Sequence, residues 1–229
     1  MALILNIETA TKVCSVALAQ NGKTIAVKEE LGEQYIHSEK LTVFIAQLME
    51  GVDFTLADLD AICVSKGPGS YTGLRIGVSC AKGLCYALNI PLLALDSLTI
   101  LGARFIQLST IEKDAIIYPM IDARRMEVFT QKMKTNLAVI SPIEAKVIDE
   151  NSFADSTDCV LLFGDGANKL ITIFSSKYIK VLGGIETSAR GMEQLSYDKY
   201  TNQDFEDVAY FEPFYLKEFI TIPSKKKLL

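Results

Sequence analysis

The stretch Gly67-Pro68-Gly69-Ser70-Tyr71-Thr72-Gly73 has the clearest capacity for chemistry in this chain of 229 residues. It follows an apolar run, Leu59 to Val64, that reads as a buried strand, and it precedes a helical pattern starting near Tyr71 or Thr72. Gly67 and Gly69 open backbone angles closed to other residues, so several N–H groups can converge on one concavity. Thr72 is the expected N-cap, and the positive end of the helix dipole behind it would favour an anion. The segment matches neither the Walker pattern nor the dinucleotide fingerprint, so a ligand-free strand-to-helix turn is the competing reading.

Two acids stand at comparable places. Glu8-Thr9-Ala10-Thr11 ends the first apolar run, where Glu8 could reach Mg²⁺ through water and Thr9 and Thr11 could donate hydrogen bonds. Asp122 ends a later run and is a candidate base, although Arg124 and Arg125 beside it could equally hold it in a salt bridge. Ala10 stands where close approach to a phosphate would need glycine. The single histidine, His37, lies just before an expected N-cap at Ser38 and reads as a surface residue at a helix start. Cys14, Cys63, Cys80, Cys85 and Cys159 are odd in number, sit in apolar surroundings and form no CxxC pair, which points to packed, reduced thiols in a cytosolic protein. With no HExxH and no Cys–His pair, no metal ligand and no catalytic residue is assigned.

The elements that must position these groups occur twice. Leu3 to Glu8, Val13 to Ala19 and Lys23 to Leu31 read as strands, with Asn21-Gly22 as a tight hairpin turn. A helix from about Ser38 to Met49 precedes the glycine turn; Pro91 to Leu95 and a helix over about 97–108 follow it. The pattern restarts with Ala115 to Ile121 ending in Asp122, a return strand over 127–134, and Val160 to Phe163 running through Gly164-Asp165-Gly166 into a helix over 167–174. Each half has an acid at a strand tip, a returning strand and a Gly-rich turn into a helix. That duplication is the layout of a two-lobed α/β fold of the actin-like ATPase (ASKHA) type, with mixed-sheet lobes flanked by helices. The expected division is 1–101 for the first lobe and 102–209 for the second, with an aromatic C-terminal helix over about 210–229 packing back on the first lobe. A cleft between the lobes would be lined by Glu8, Thr9, Thr11, Gly67, Gly69, Asp122, Gly164 and Gly166.

Two helices carry more than one apolar face. On the 72–88 helix, Gly73, Ile76, Gly77, Cys80, Gly83 and Ala87 form a stripe of small residues beside the stripe of Leu74, Val78, Ala81 and Cys85. The 38–49 helix offers Leu41 and Phe44. These side chains are expected to meet a partner as well as each other. A net charge of −5 argues against a stand-alone nucleic-acid binder, and Lys225-Lys226-Lys227 reads as a solvated tail. No apolar run approaches a membrane-spanning length and no basic leader opens the chain, which leads to the expectation of a cytoplasmic protein with no membrane contact.

Gly67-Pro68-Gly69-Ser70-Tyr71-Thr72-Gly73-Leu74-Arg75-Ile76-Gly77 resembles the signature of the TsaB (YeaZ) family of tRNA threonylcarbamoyladenosine (t6A) biosynthesis. Glu8-Thr9-Ala10-Thr11, His37-Ser38-Glu39-Lys40-Leu41 and Ile121-Asp122-Ala123-Arg124-Arg125-Met126-Glu127-Val128 fit it in order, densely in the first half and sparsely in the second. The resemblance implies a non-catalytic adaptor, a pseudoenzyme that binds and activates TsaD in modifying adenosine 37 of tRNAs reading codons that begin with A. It also implies TsaE in the same complex, TsaC in the same pathway and tRNA met through the complex, and it leaves open whether the free chain is a homodimer or a monomer. No cofactor would be required, and weak ATP or ADP binding would arise only with TsaD. The His-x-x-x-His metal motif of TsaD would fall near Asp96-Ser97-Leu98-Thr99-Ile100-Leu101, which holds no histidine. A small-molecule kinase or a glycoprotease-like peptidase is the rival reading.

Overall fold

The computed structural model describes residues 1–111, 115–153, 158–174 and 178–217. Strands β1 (Leu3–Glu8) and β2 (Val13–Gln20) pair antiparallel, and Asn21-Gly22 turns the chain into β3 (Lys23–Leu31). The φ angles of these two residues, 51° and 78°, are left-handed, as a type I′ hairpin turn requires and as Asn and Gly accept. Then come α1 (His37–Glu50), β4 (Ala61–Gly67), α2 (Tyr71–Leu88), β5 (Leu92–Asp96) and α3 (Ser97–Leu108). β4 runs parallel to β1 and β5 parallel to β4, giving the sheet order β3-β2-β1-β4-β5.

Both faces of this sheet are covered, which is why consecutive apolar residues, Leu3 to Leu5 in β1 and Ala61 to Val64 in β4, replace an alternating pattern. One face sets Leu5, Ile7, Val16 and Val64 against Leu41, Phe44 and Ile45 of α1 and Val78, Ala81 and Cys85 of α2. The opposite face sets Ile4, Ala17, Cys63 and Leu93 against Ile100, Ala189 and Met192.

The second sheet contains β6 (Ile116–Asp122), β7 (Glu127–Thr130), β8 (Met133–Lys134), β9 (Glu144–Val147), β10 (Val160–Phe163) and β11 (Ile179–Leu182). Its order is β11-β10-β6-β7-β9, with β8 beside β6. β7 returns antiparallel to β6 while β10 runs parallel to it, repeating the relation of β2 and β4 to β1. Phe105 of α3 stacks on Phe163 at 4.0 Å, tying that helix to the second core. Two mixed sheets with flanking helices make the two-lobed actin-like α/β fold that the duplication implies.

Several elements differ from expectation. α4 (Glu193–Thr201) and the 3-10 turn Ala189–Met192 follow the second sheet in sequence, inside the span expected to form the second lobe, yet pack on the first sheet. Central strands need cover on both faces, and Leu195, Tyr197 and Tyr200 help to supply it. The helix expected over 167–174 is a 3-10 segment, Asp165–Leu170. β9 and β11 were not anticipated. The return strand expected over 127–134 is split into β7 and β8. Residues 210–217 are irregular where a helix was expected, and bonds from 206 to 214 fasten this stretch along the first lobe. Glu206 N–H donates to Leu92 O at 2.9 Å, Phe214 N–H donates to Lys66 O at 2.7 Å, and Lys82 Nζ donates to the carbonyls of Ala209 and Phe211. Phe211 packs on the first core. The rest of the expected helix, with Lys225 to Lys227, lies outside the described residues.

Candidate functional site

The glycine turn between β4 and α2 is packed shut. Ser70, not Thr72, is the N-cap of α2, its Oγ accepting from Gly73 N–H at 3.2 Å. The Ser70 amide is also engaged, donating to Ala10 O at 2.7 Å. Gly69 does not have positive φ; it is needed because a Cβ there would lie 2.4 Å from Ala10 O. Gly67 does have a left-handed φ of 115°, and a Cβ on it would meet Phe214 O at 2.5 Å. The turn after β10 is similar, since a Cβ on Gly164 would come within 2.2 Å of Met120 O and one on Gly166 within 2.8 Å of the Ile121 carbonyl carbon. Each turn uses its glycines for contact between segments of this chain.

Glu8, Thr9 and Thr11 are buried at the carboxyl end of β1. Glu8 Oε1 accepts from Ala10 N–H at 2.6 Å, while Oε2 has no hydrogen-bond partner among the described residues. Burial pushes the Glu8 carboxyl up to about 7, opposed by the Ala10 amide and the Ser65 hydroxyl and reinforced by the charge of Asp165. Asp165 rises to about 6 and Glu186 to about 7, in both cases mainly by burial. A hydroxyl pair, Thr11 Oγ1 to Thr187 Oγ1 at 2.8 Å, joins the β1–β2 loop to the segment after β11. Next to it, a groove of about 270 Å³ is lined by Glu29, Glu30, Arg104, Glu186 and Ser188, among others. Among the described residues no three His, Cys, Asp or Glu side chains converge as a metal site.

Asp122 is held in an ion pair, but by Lys169 rather than by Arg124 or Arg125. Its Oδ1 also accepts from Arg124 N–H at 3.0 Å. Lys169 and Glu186 escaped sequence reasoning because neither sits in a periodic pattern or a motif. Lys169 follows the Gly164-Asp165-Gly166 turn closely enough that proximity to the tip of β6 could have flagged it.

His37 is not on the surface. It is 1% exposed, opens α1, and its Nε2 lies 2.8 Å from Thr11 O. A carbonyl can only accept, so Nε2 carries the proton, and burial lowers the pKa of the ring below its usual value.

The expected partner stripe on α2 divides in two. Gly73 and Gly77 are buried, and a Cβ on either would come within 2.2 Å of Thr9, at its carbonyl oxygen and at Oγ1 respectively. These glycines face the chain's own loop, not a partner. Leu41 and Phe44 belong to the first core, and Ile76 and Cys80 are half-buried against it. Gly83 and Ala87 are exposed, with open space around Gly83. Beside them lie Ser79 and Tyr86, the latter 84% exposed, and α1 exposes Thr42, Val43, Ala46 and Gln47. The helical repeat could not say which of two small-residue faces points inward.

A family model described as TsaD, tRNA N6-adenosine threonylcarbamoyltransferase, matches residues 34–155. The chain is similar to the tRNA threonylcarbamoyladenosine biosynthesis protein TsaB of Bacillus subtilis, at 38% identity over 56% of this chain and 53% of that protein. The Haemophilus influenzae protein of the same name is 30% identical over 55% of this chain and 51% of its own length. The chain thus spans about half the length of these curated relatives. Among solved structures, YeaZ from Pseudomonas aeruginosa has a TM-score of 0.80 at 23% identity, covering 94% of this chain and 100% of that one, a likeness of fold.

Proposed function

Because the chain belongs to the TsaD family, on its TsaB (YeaZ) branch, we propose that it is a non-catalytic adaptor. It binds and activates TsaD in the N6-threonylcarbamoyl modification of adenosine 37 in tRNAs reading codons that begin with A. TsaE joins the same complex, TsaC acts in the same pathway, and the complex works in the cytoplasm. No cofactor is required by the adaptor itself, and any ATP or ADP binding depends on TsaD.

The observation that carries this reading is the filling of the cleft turns by the chain's own backbone, with Gly69 seated on Ala10 and Gly164 on Met120. A phosphate cradle needs free amides and open space beside its glycines. The docking surface is the exposed side of the α1–α2 layer, where Val43, Ala46, Gly83, Tyr86 and Ala87 present apolar and small groups. Exposed apolar surface of this kind is characteristic of protein contacts. It also serves for pairing of two copies when TsaD is absent.

Gly83→Arg tests the proposal, since the space around Gly83 is open and the fold should tolerate the side chain. The variant is expected to keep its circular dichroism spectrum and lose capture by TsaD. Retained capture would place the contact elsewhere. ATP hydrolysis or peptide cleavage by the pure wild-type chain, abolished by Glu8→Ala, would overturn the adaptor reading.

A further inference from the structure

The hairpin between β6 and β7 is closed by Ala123 N–H donating to Glu127 O at 3.1 Å and Glu127 N–H donating to Arg124 O at 3.2 Å. The loop is three residues long, Arg124 to Met126, and its first two residues have φ of 72° and 52°. The β2–β3 hairpin of this chain uses two left-handed residues as well, but they are Asn21 and Gly22, which take that conformation readily. Arginine adopts it only at a cost in stability. The chain thus places two arginines in left-handed backbone at an exposed turn, where Asn or Gly would be less strained.

The bonds that hold the turn are made by its backbone, Arg124 N–H to Asp122 Oδ1 among them, and none among the described residues uses the arginine side chains. Both arginines are exposed, and neither guanidinium has an ion-pair or hydrogen-bond partner. The acids beside them are already matched, Asp122 by Lys169 and Glu127 by Lys217. Asp165 contributes a further, largely buried carboxyl beneath the turn. Four cations therefore stand beside three carboxyls, and the two unpaired guanidiniums are the outermost charges, a local positive excess on a chain of net charge −5.

We infer that the Arg124–Arg125 turn is an RNA-backbone contact, in which the two guanidiniums bind phosphodiester groups of the tRNA handled by the complex. The inference rests on the proposed function for the identity of the RNA. Guanidinium suits this ligand because its fork of donors matches a phosphate bidentately. Backbone contacts position nucleic acid without reading sequence, as expected of a subunit that does not act on the base.

The test is Arg124→Asn combined with Arg125→Gly, made in the full chain. Fluorescence anisotropy with labelled tRNA is read for the chain alone and for the chain with TsaD. The relaxed turn is expected to raise the thermal midpoint by roughly 2–4 °C. It should weaken tRNA binding about tenfold and reduce the slope of log affinity against log salt by about 1–2. Arg124→Lys with Arg125→Lys should retain most of the affinity. Unchanged tRNA affinity would overturn the inference, as would a fall in stability, which would make the arginines structural. Loss of TsaD capture with tRNA binding intact would assign the turn to an acidic protein surface and also overturn it. Wild-type chain that fails to capture TsaD would refute the adaptor proposal instead, while the anisotropy of the chain alone still decides this one.

Discussion

Gly73 and Gly83 lie on the same helix, and the same substitution should move their stabilities in opposite directions. In a helix interior Gly→Ala gains about 1 kcal/mol, because the chain loses less backbone freedom on folding. At Gly83 nothing lies within 4 Å of the added Cβ, so the full gain should appear. At Gly73 the Cβ would lie 2.2 Å from Thr9 O and 3.1 Å from His37 Cδ2. Restoring ordinary contact needs a movement of about 1 Å, and neither side yields easily. Thr9 N–H is bonded to Ser65 Oγ, Ala10 O accepts from Ser70 N–H, and His37 is tied to Thr11 O. Overpacking typically costs about 1–3 kcal/mol, and a rigid backbone neighbour puts this site at the upper end. The net expectation is about 2 kcal/mol of destabilisation for Gly73→Ala against about 1 kcal/mol of stabilisation for Gly83→Ala. At this chain length those values correspond to a fall of roughly 4–8 °C and a rise of roughly 2–4 °C in Tm. Thermal and urea unfolding followed by far-UV circular dichroism would measure both. If Gly73→Ala were stabilising too, the β1–β2 loop would not be seated on α2, and the argument that the turn is closed by its own chain would fail.

Two further predictions concern protons. Glu8 has a folded-state value of about 7, above its ordinary 4.5, so the folded protein holds this proton more tightly than the unfolded one. Its contribution to stability is therefore complete below about pH 4.5, is lost as pH rises to about 7, and is constant above that. Glu8→Gln keeps an acceptor for Ala10 N–H and should be more stable than wild type at pH 8, by an amount on the order of 3 kcal/mol. Parallel stability–pH curves for the two proteins in that window would contradict the burial argument. His37 is the only histidine, so proton NMR should show a single imidazole titration, with its midpoint below 6.5 because burial disfavours the charged ring. A midpoint at or above 6.5 would mean that the ring is solvated.

The first sheet, its hairpin and the duplicated layout are legible in the sequence because they follow from local signals, whereas β9, β11 and the packing of α4 on the first sheet are not. Short apolar runs marked β1 and β4, Asn21-Gly22 marked the first hairpin, and the strand–glycine–helix order appeared twice. Small residues on α2 likewise announced that something approaches that helix closely. What approaches was decided only by the tertiary structure. The helical repeat gives Gly73, Gly77, Gly83 and Ala87 the same smallness, and only the position of Thr9 makes the first two internal and leaves the others free. His37 read as a surface group because polarity and a helix start suggest exposure; a carbonyl 26 residues away in sequence buries it. Glycine spacing at 67 and 69 was compatible with a phosphate, but the space beside them is filled by Phe214 and Ala10, from distant parts of the chain. Local patterning records which surfaces must be small, apolar or turned. Which segment fills each of them depends on long-range packing, and that appears only when the chain is folded.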